Sequence, residues 1–239
     1  MVKVFLRKVD FKKGIISEMR KIKDFIFEFI FNRLNKVRVY SHLENKYKFI
    51  YIHIPKTGGN GILKSLFNLD FGLGHKPLEL YYKANRTKFD EYYKFTIVRN
   101  PYDRFVSAFN YLKAGGNSQV DIIVLKEELT KHRDVNDFIS ELKKNPELMV
   151  NVMNYVHFMP QTYFLKGNIR ATSIDHIGKQ EDMETSFNFL KNIFSLNNLE
   201  LKKQNVTKGY NDTLSYDSKT FLYNLYEEDF RYFDYSSQL

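Results

Sequence analysis

The most regular apolar pattern in the chain is residues 48–54, KFIYIHI. This run of β-branched and aromatic residues is closed by Pro55 and then by Gly58 and Gly59, and it predicts a buried strand. Ile62, Leu63, Leu66 and Phe67 follow at helical spacing, so the first unit reads strand, glycine loop, helix. A second unit repeats that order. FTIV at 95–98 predicts a short strand, and Asn100 with Pro101 supplies a cap followed by a proline suited to the first helical position. Behind it Tyr102, Phe105, Val106, Phe109 and either Tyr111 or Leu112 line one helix face. Two strand-to-helix turns in one chain predict an α/β fold with a parallel sheet and helices on its faces. Further helices are expected over 122–129, 135–143, 183–194 and 218–230, the last with Phe221, Leu222, Leu225 and Tyr226 on one stripe, and a strand over 173–177. There is no internal repeat, low-complexity tract or obvious linker.

Ahead of the first strand the pattern changes. Residues 1–46 are rich in Lys and Arg, with Ile22, Phe25, Ile26, Phe29 and Ile30 at helical spacing. That predicts an amphipathic helix whose apolar stripe needs a cover: the domain itself, a second subunit or a membrane surface. Asp24 and Glu28 in the stripe region favour protein, with a peripheral membrane contact as the alternative. The apolar stretch at 22–34 is interrupted by Asp24, Glu28, Asn32 and Arg33 and is well short of the roughly 20 apolar residues that span a bilayer. No apolar run ends in a small-residue cleavage site, so a cytoplasmic location is expected. The division is a helical extension over 1–46 and one domain over 47–239, a length that can bury a sizeable core.

Composition narrows the choice without making it. At 43% hydrophobic and 16% aromatic the chain is too apolar for a disordered one. With no cysteine it has no disulfide, thiolate metal site or cysteine nucleophile, which fits a reducing compartment. Lys and Arg outnumber Asp and Glu by 37 to 28, for a net charge of +9. That favours a polyanionic partner (nucleotide, acidic glycan, nucleic acid or anionic membrane) or simply a solvated basic surface.

The chemistry concentrates in the glycine loop. Pro55, Lys56, Thr57, Gly58, Gly59, Asn60 and Gly61 lie between a predicted strand and helix, where unpaired amides and the positive end of a helix dipole converge. An anion belongs there. The glycines let the main chain wrap closely, and Lys56 adds a charge that can follow a leaving group. The lysine precedes the glycines, unlike GxxxxGK[ST], which disfavours an ordinary NTPase; a plain tight turn is the other reading. HIPKTGG closely resembles the 5′-phosphosulfate loop of the carbohydrate sulfotransferases, a family that includes heparan- and chondroitin-type enzymes and bacterial relatives. FTIVRNPYDRFVSAF, at 95–109, resembles the same family's 3′-phosphate motif. His157-Phe158-Met159-Pro160-Gln161, Ile177-Gly178 with Glu181, and Tyr226-Glu227-Glu228-Asp229 with Phe233 and Tyr235 resemble weaker downstream signatures, so the likeness spans 47–235.

The resemblance implies a P-loop-like three-layer fold with a mostly parallel central sheet. It also implies transfer of a sulfuryl group from 3′-phosphoadenosine-5′-phosphosulfate (PAPS) to a hydroxyl of a carbohydrate or glycoconjugate, leaving adenosine 3′,5′-bisphosphate and needing no metal. Residues 55–61 would cradle the 5′ end, with Lys56 stabilising the leaving group, and Arg99 with Ser107 would hold the 3′-phosphate. The family often has hydroxyl residues after the glycine pair where this chain has Asn60 and Gly61, so the cradle would rest on main-chain amides.

Residue chemistry agrees at the second motif. Arg99 ends a strand and Ser107 lies two turns into the next helix, off the Phe105, Val106 and Phe109 face, so both can point to the sheet edge where ligands bind. A guanidinium fork and a hydroxyl both suit phosphate. Without the loop, Arg99 reads as a surface ion-pair residue and Ser107 as a solvated one; Asp103 and Arg104 read as structural. Of six histidines, His75 in the loop Gly72-Leu73-Gly74-His75-Lys76 is the expected general base, because relatives place a histidine there; an exposed loop histidine is the other reading. His157 is the reserve, His53 a satisfied core or loop-bracing residue, and Glu181 a brace for the phosphate loop rather than a base. Residues 202–210 are expected to close over adenine or to form a solvated basic loop. The rivals are an ATP-using, kinase-like protein, which has no need of a second anion pocket, and a nucleic-acid-binding protein, for which no motif is present.

Overall fold

The computed structural model describes residues 39–69, 72–116, 126–166, 174–196, 198–202 and 213–237. The helix expected around 22–30 and the first part of the one expected over 122–129 lie outside these residues. Three strands form one sheet: β1 (Phe49–Ile52), β2 (Tyr93–Val98) and β3 (His176–Lys179), in the order β1-β2-β3. Both pairings are parallel, Phe49 opposite Tyr93 and Phe95 opposite His176. Two long crossovers of this kind need helices to carry the chain back, which is why the α/β expectation and the sheet agree.

Side chains alternate along the strands and so divide the core into two layers. Phe49, Tyr51, Phe95 and Ile97 face α2 (Gly59–Phe67) and α10 (Met183–Ile193), meeting Ile62, Leu66, Phe187 and Leu190. Ile50, Ile52 and Val98 face the opposite way, against α3 (Leu78–Ala84), α4 (Arg86–Glu91) and α9 (Gln161–Leu165). A third apolar cluster lies among helices alone. There Phe105, Phe109 and Leu112 of α5 (Pro101–Lys113) pack with α6 (Glu127–Thr130), α7 (Val135–Lys144), α8 (Pro146–Met153) and α11 (Tyr216–Tyr232).

The packed body starts before residue 47. Tyr40 is buried and donates its hydroxyl to the Tyr81 carbonyl, and α1 (His42–Tyr47) opens with a full capping box between Ser41 and Glu44. Glu44 is wholly buried; it also accepts from the Tyr81 hydroxyl at 2.7 Å, and Lys76 stands 3.9 Å away. Every strand ends at the same edge of the sheet, and each is followed there by the start of a helix: α2 after β1, α5 after β2, α10 after β3. Three helix N-termini on one edge concentrate positive potential at the place where open α/β sheets bind their ligands.

Candidate active site

The glycine loop is shaped by positive backbone angles. Lys56 has φ 68° and Gly58 φ 77°, so the chain turns sharply out of β1 and presents its amides inward. Gly58 caps α2 with no side chain of its own, leaving the leading amides of that helix to an outside acceptor. Gly59 has a different reason to be glycine: a Cβ there would lie 1.8 Å from the Tyr51 hydroxyl oxygen. Not every loop residue offers a donor. Proline has no N–H, the Thr57 hydroxyl turns inward to the Ile54 carbonyl at 2.9 Å, and the Gly61 amide is bonded to the Gly58 carbonyl. Of the stretch expected to cradle an anion, Pro55, Thr57 through its side chain, and Gly61 therefore shape the cradle.

Arg99 reaches this loop from the neighbouring strand, its Nη1 standing 3.4 Å from the Lys56 carbonyl. Its backbone is clamped by one side chain. Gln161, fully buried, accepts the Arg99 amide at 2.9 Å and donates to the Arg99 carbonyl at 2.8 Å. Burial presses the Arg99 pKa down, while Asp103, Glu181 and Tyr235 favour its charge. Its Nε is buried with no hydrogen-bond partner among the described residues. Leaving a donor of this kind unmet is costly, and an anion at this spot would satisfy it. Ser107 is half-buried on α5. Glu181 accepts from the Asn100 amide at 2.7 Å and from the Tyr235 hydroxyl at 2.9 Å, so it braces the Arg99–Asn100 turn, where the sequence suggests a brace for the phosphate loop.

Arg104 is structural, as expected, but its partners are not local. Wholly buried, it donates through Nη1 to the carbonyls of His157 (3.0 Å) and, at longer range, Pro55 (3.5 Å), and through Nη2 to Met159. One guanidinium on the helix of the second motif thus holds the first motif and the segment bearing His157. Sequence reasoning misses this and the Gln161 clamp, since neither an inward Arg nor a bridging Gln leaves any periodic mark.

Three histidines meet beside the loop. The His53 and His75 ring centroids are 4.5 Å apart, and those of His75 and His157 are 6.0 Å apart. His75 is anchored: its Nδ1 is 2.9 Å from the His53 carbonyl. A carbonyl only accepts, so Nδ1 carries the proton and the lone pair of a neutral ring is on Nε2. His53 is buried and held neutral, its pKa well below the ordinary value because of burial first and then the charges of His75 and His157. Of the two readings the sequence offers, its carbonyl fits a loop-bracing residue, since it holds His75, while its Nδ1 has no hydrogen-bond partner among the described residues. Gly72 closes the group: a Cβ there would come within 3.1 Å of His53 and 3.0 Å of the Asn60 side-chain oxygen.

Lys56 also belongs to this cluster, with its Nζ 3.8 Å from the centroid of the Tyr111 ring. Residues 203–210, most of the stretch considered for adenine, lie outside the described residues; the amide of Lys202, just before them, is bonded to Ser65 of α2. Among the described residues no group of three or more His, Asp or Glu side chains is arranged to hold a metal ion, and no helix is long and apolar enough to cross a membrane.

The sequence has a counterpart among known families. The model of the family described as the sulfotransferase family matches residues 41–236. The chain belongs to that family, and its chemistry is transfer of a sulfuryl group. Comparison with curated proteins and with solved structures finds no significant match.

Proposed function

We propose that this sulfotransferase-family chain takes its sulfuryl group from PAPS and delivers it to a hydroxyl of a carbohydrate or glycoconjugate. The observation that carries the reading is the meeting of Arg99 with the Lys56 carbonyl at 3.4 Å. Two anion-attracting groups on adjacent strand ends suit one nucleotide bearing phosphate at both its 5′ and 3′ positions. The unmet, buried Nε of Arg99 fits the second of these anions.

When bound, PAPS supplies a sulfuryl group already activated on a phosphate leaving group. The chain supplies position and charge, the two contributions that dominate the related phosphoryl transfers. Main-chain amides at the start of α2 cradle the 5′-phosphate. The Lys56 ammonium stabilises the charge that develops on the bridging oxygen. Arg99 and Ser107 hold the 3′-phosphate, with Gln161 and Glu181 keeping the Arg99 turn rigid. His75 takes the proton of the acceptor hydroxyl on Nε2, and its bond to the His53 carbonyl fixes the tautomer that can do so. The net charge of +9 suits an acidic glycan as acceptor.

Two measurements test this. Adenosine 3′,5′-bisphosphate should bind much more tightly than ATP, and equal affinity would favour the ATP-using alternative. With PAPS labelled in its sulfuryl group, a panel of glycans should reveal a labelled product; incorporation into none would remove the carbohydrate acceptor.

A further inference from the structure

β2 runs out just before the arginine it delivers. Its pairing with β1 ends at Thr96, opposite Ile52, and its pairing with β3 at Val98, opposite Lys179. The amide and carbonyl of Arg99 therefore lie beyond both ladders, and the Gln161 carboxamide bonds the two of them as a neighbouring strand would. Gln161 is itself the first residue of α9, and Pro160 ahead of it offers no side-chain cap. A helix start leaves its leading amides unpaired. Here α11 supplies the acceptor: Asp229 takes the Gln161 amide on Oδ2 at 2.7 Å and the Thr162 amide on Oδ1 at 2.9 Å. One turn earlier on α11, the Tyr226 hydroxyl donates to the Phe158 carbonyl at 2.6 Å, while Arg104 holds the carbonyls of His157 and Met159. The strip 157–162 is thus gripped by side chains from end to end, and Gln161 projects from it to Arg99.

Resting on the reading that Arg99 meets the 3′-phosphate, we infer that Asp229 is a positioning residue for that arginine, acting through Gln161, and so sets how strongly the site prefers a 3′-phosphorylated nucleotide. A guanidinium stands at the end of a long side chain, so a small tilt of its main chain swings the fork widely. A binding constellation must be held within about 0.5 Å of its productive geometry. Glu181 fixes the far side of the same turn through the Asn100 amide; the near side rests on Gln161. Asp229 is suited to its part. It is fully buried, and although burial raises its pKa, the Arg104 charge and the two amides counter that. Hydrogen bonds to a charged acceptor in a dry interior are strong, and these two fix the main chain from which the Gln161 side chain springs. An ordinary cap would act on α9 alone, whereas this one continues through Gln161 into the residue that opens the turn to α5.

The test measures the 3′-phosphate preference, the Kd of adenosine 5′-monophosphate divided by that of adenosine 3′,5′-bisphosphate, by calorimetric titration of the full chain. Gln161→Met keeps the backbone amide on Asp229 and removes the clamp; Asp229→Asn keeps the shape and replaces an acceptor oxygen with a donor. Each should lower the preference about tenfold, about 1.4 kcal/mol, with the Kd of the monophosphate held within about twofold. In an Arg99→Ala background neither change should lower it further. A cap with a purely structural role would lower the urea midpoint and leave the preference as it was; that result would overturn the inference while the sulfuryl-transfer reading stands. Should Asp229→Asn not fold, the parent protein decides. Its Gln161 and Thr162 amide signals in nitrogen-labelled spectra should shift on saturation with the bisphosphate and not with the monophosphate, and equal shifts would overturn the inference. Equal affinity of the parent for the two nucleotides would remove both the inference and the reading that Arg99 holds a 3′-phosphate.

Discussion

Lys56 holds a left-handed backbone angle that only glycine adopts without strain, which costs a residue with a side chain about 1–2 kcal/mol. Such strain persists where the surrounding structure fixes it, and it clusters at functional sites. Lys56→Gly therefore separates folding from chemistry. Its stability by urea denaturation should stay within about 1 kcal/mol of the parent, since relief of strain offsets the flexibility of glycine, while turnover falls about 10²–10³-fold, as when one preorganised charge-stabilising donor is lost. A matched collapse of stability and activity would contradict this. Arg99 is tested by binding instead. Arg99→Ala should weaken adenosine 3′,5′-bisphosphate by about 1.5–3 kcal/mol in calorimetric titration, the value of a hydrogen bond to a charged group; unaltered affinity would take Arg99 out of the pocket.

At the scale of elements, the approach of α2 to β1 is set by one missing methyl group. Gly59→Ala would drive a carbon into the Tyr51 hydroxyl and should cost about 1–3 kcal/mol in chemical denaturation, as overpacking does. Tyr51→Phe removes the nearest atom, so the double variant should lose less than the sum of the two single changes; strict additivity would place the strain elsewhere. The strand–loop–helix units were legible because FIYI and FTIV are short apolar runs closed by turn residues, and α7, α10 and α11 because their stripes are long. The short helices were not. α3 and α4 share Asn85, which ends one and caps the other, and neither has the length for a clear period. α9 has five residues, yet it supplies Gln161. The proposed site was legible where its residues sit within one contiguous motif, as with Lys56 and Arg99. It was not where a contact is long-range: Arg104 bonds to residues more than forty positions away, and Gln161 clamps the Arg99 backbone from sixty-two positions on.

For the whole molecule, the buried histidine links stability to pH. Folded, His53 stays neutral well below the ordinary histidine range, whereas the unfolded chain takes up that proton near pH 6.5. Below that value the unfolded state binds more protons, so stability is full above about pH 6.5 and falls as the pH drops, until the folded protein protonates as well. His176, lowered by burial, acts in the same sense. Asp229, raised by burial, acts in the opposite sense, from the ordinary carboxylate pKa upward. Thermal melting from pH 8 to pH 5 should thus show a decline that is shallower in His53→Gln, by at most about 1.4 kcal/mol per pH unit; parallel curves would mean that His53 takes up its proton as readily in the folded as in the unfolded chain.

The buried guanidinium of Arg104 has a consequence for motion. Because it joins the carbonyls of Pro55, His157 and Met159, neither segment can lift from the body without stranding a cation in a dry interior, a loss of about 3–5 kcal/mol. The amides around residues 55–61 and 155–162 should therefore exchange with deuterium at one shared rate, as a single cooperative unit. Solvent would reach the sulfuryl-transfer centre by the opening of that unit as a whole, not by the fraying of one loop.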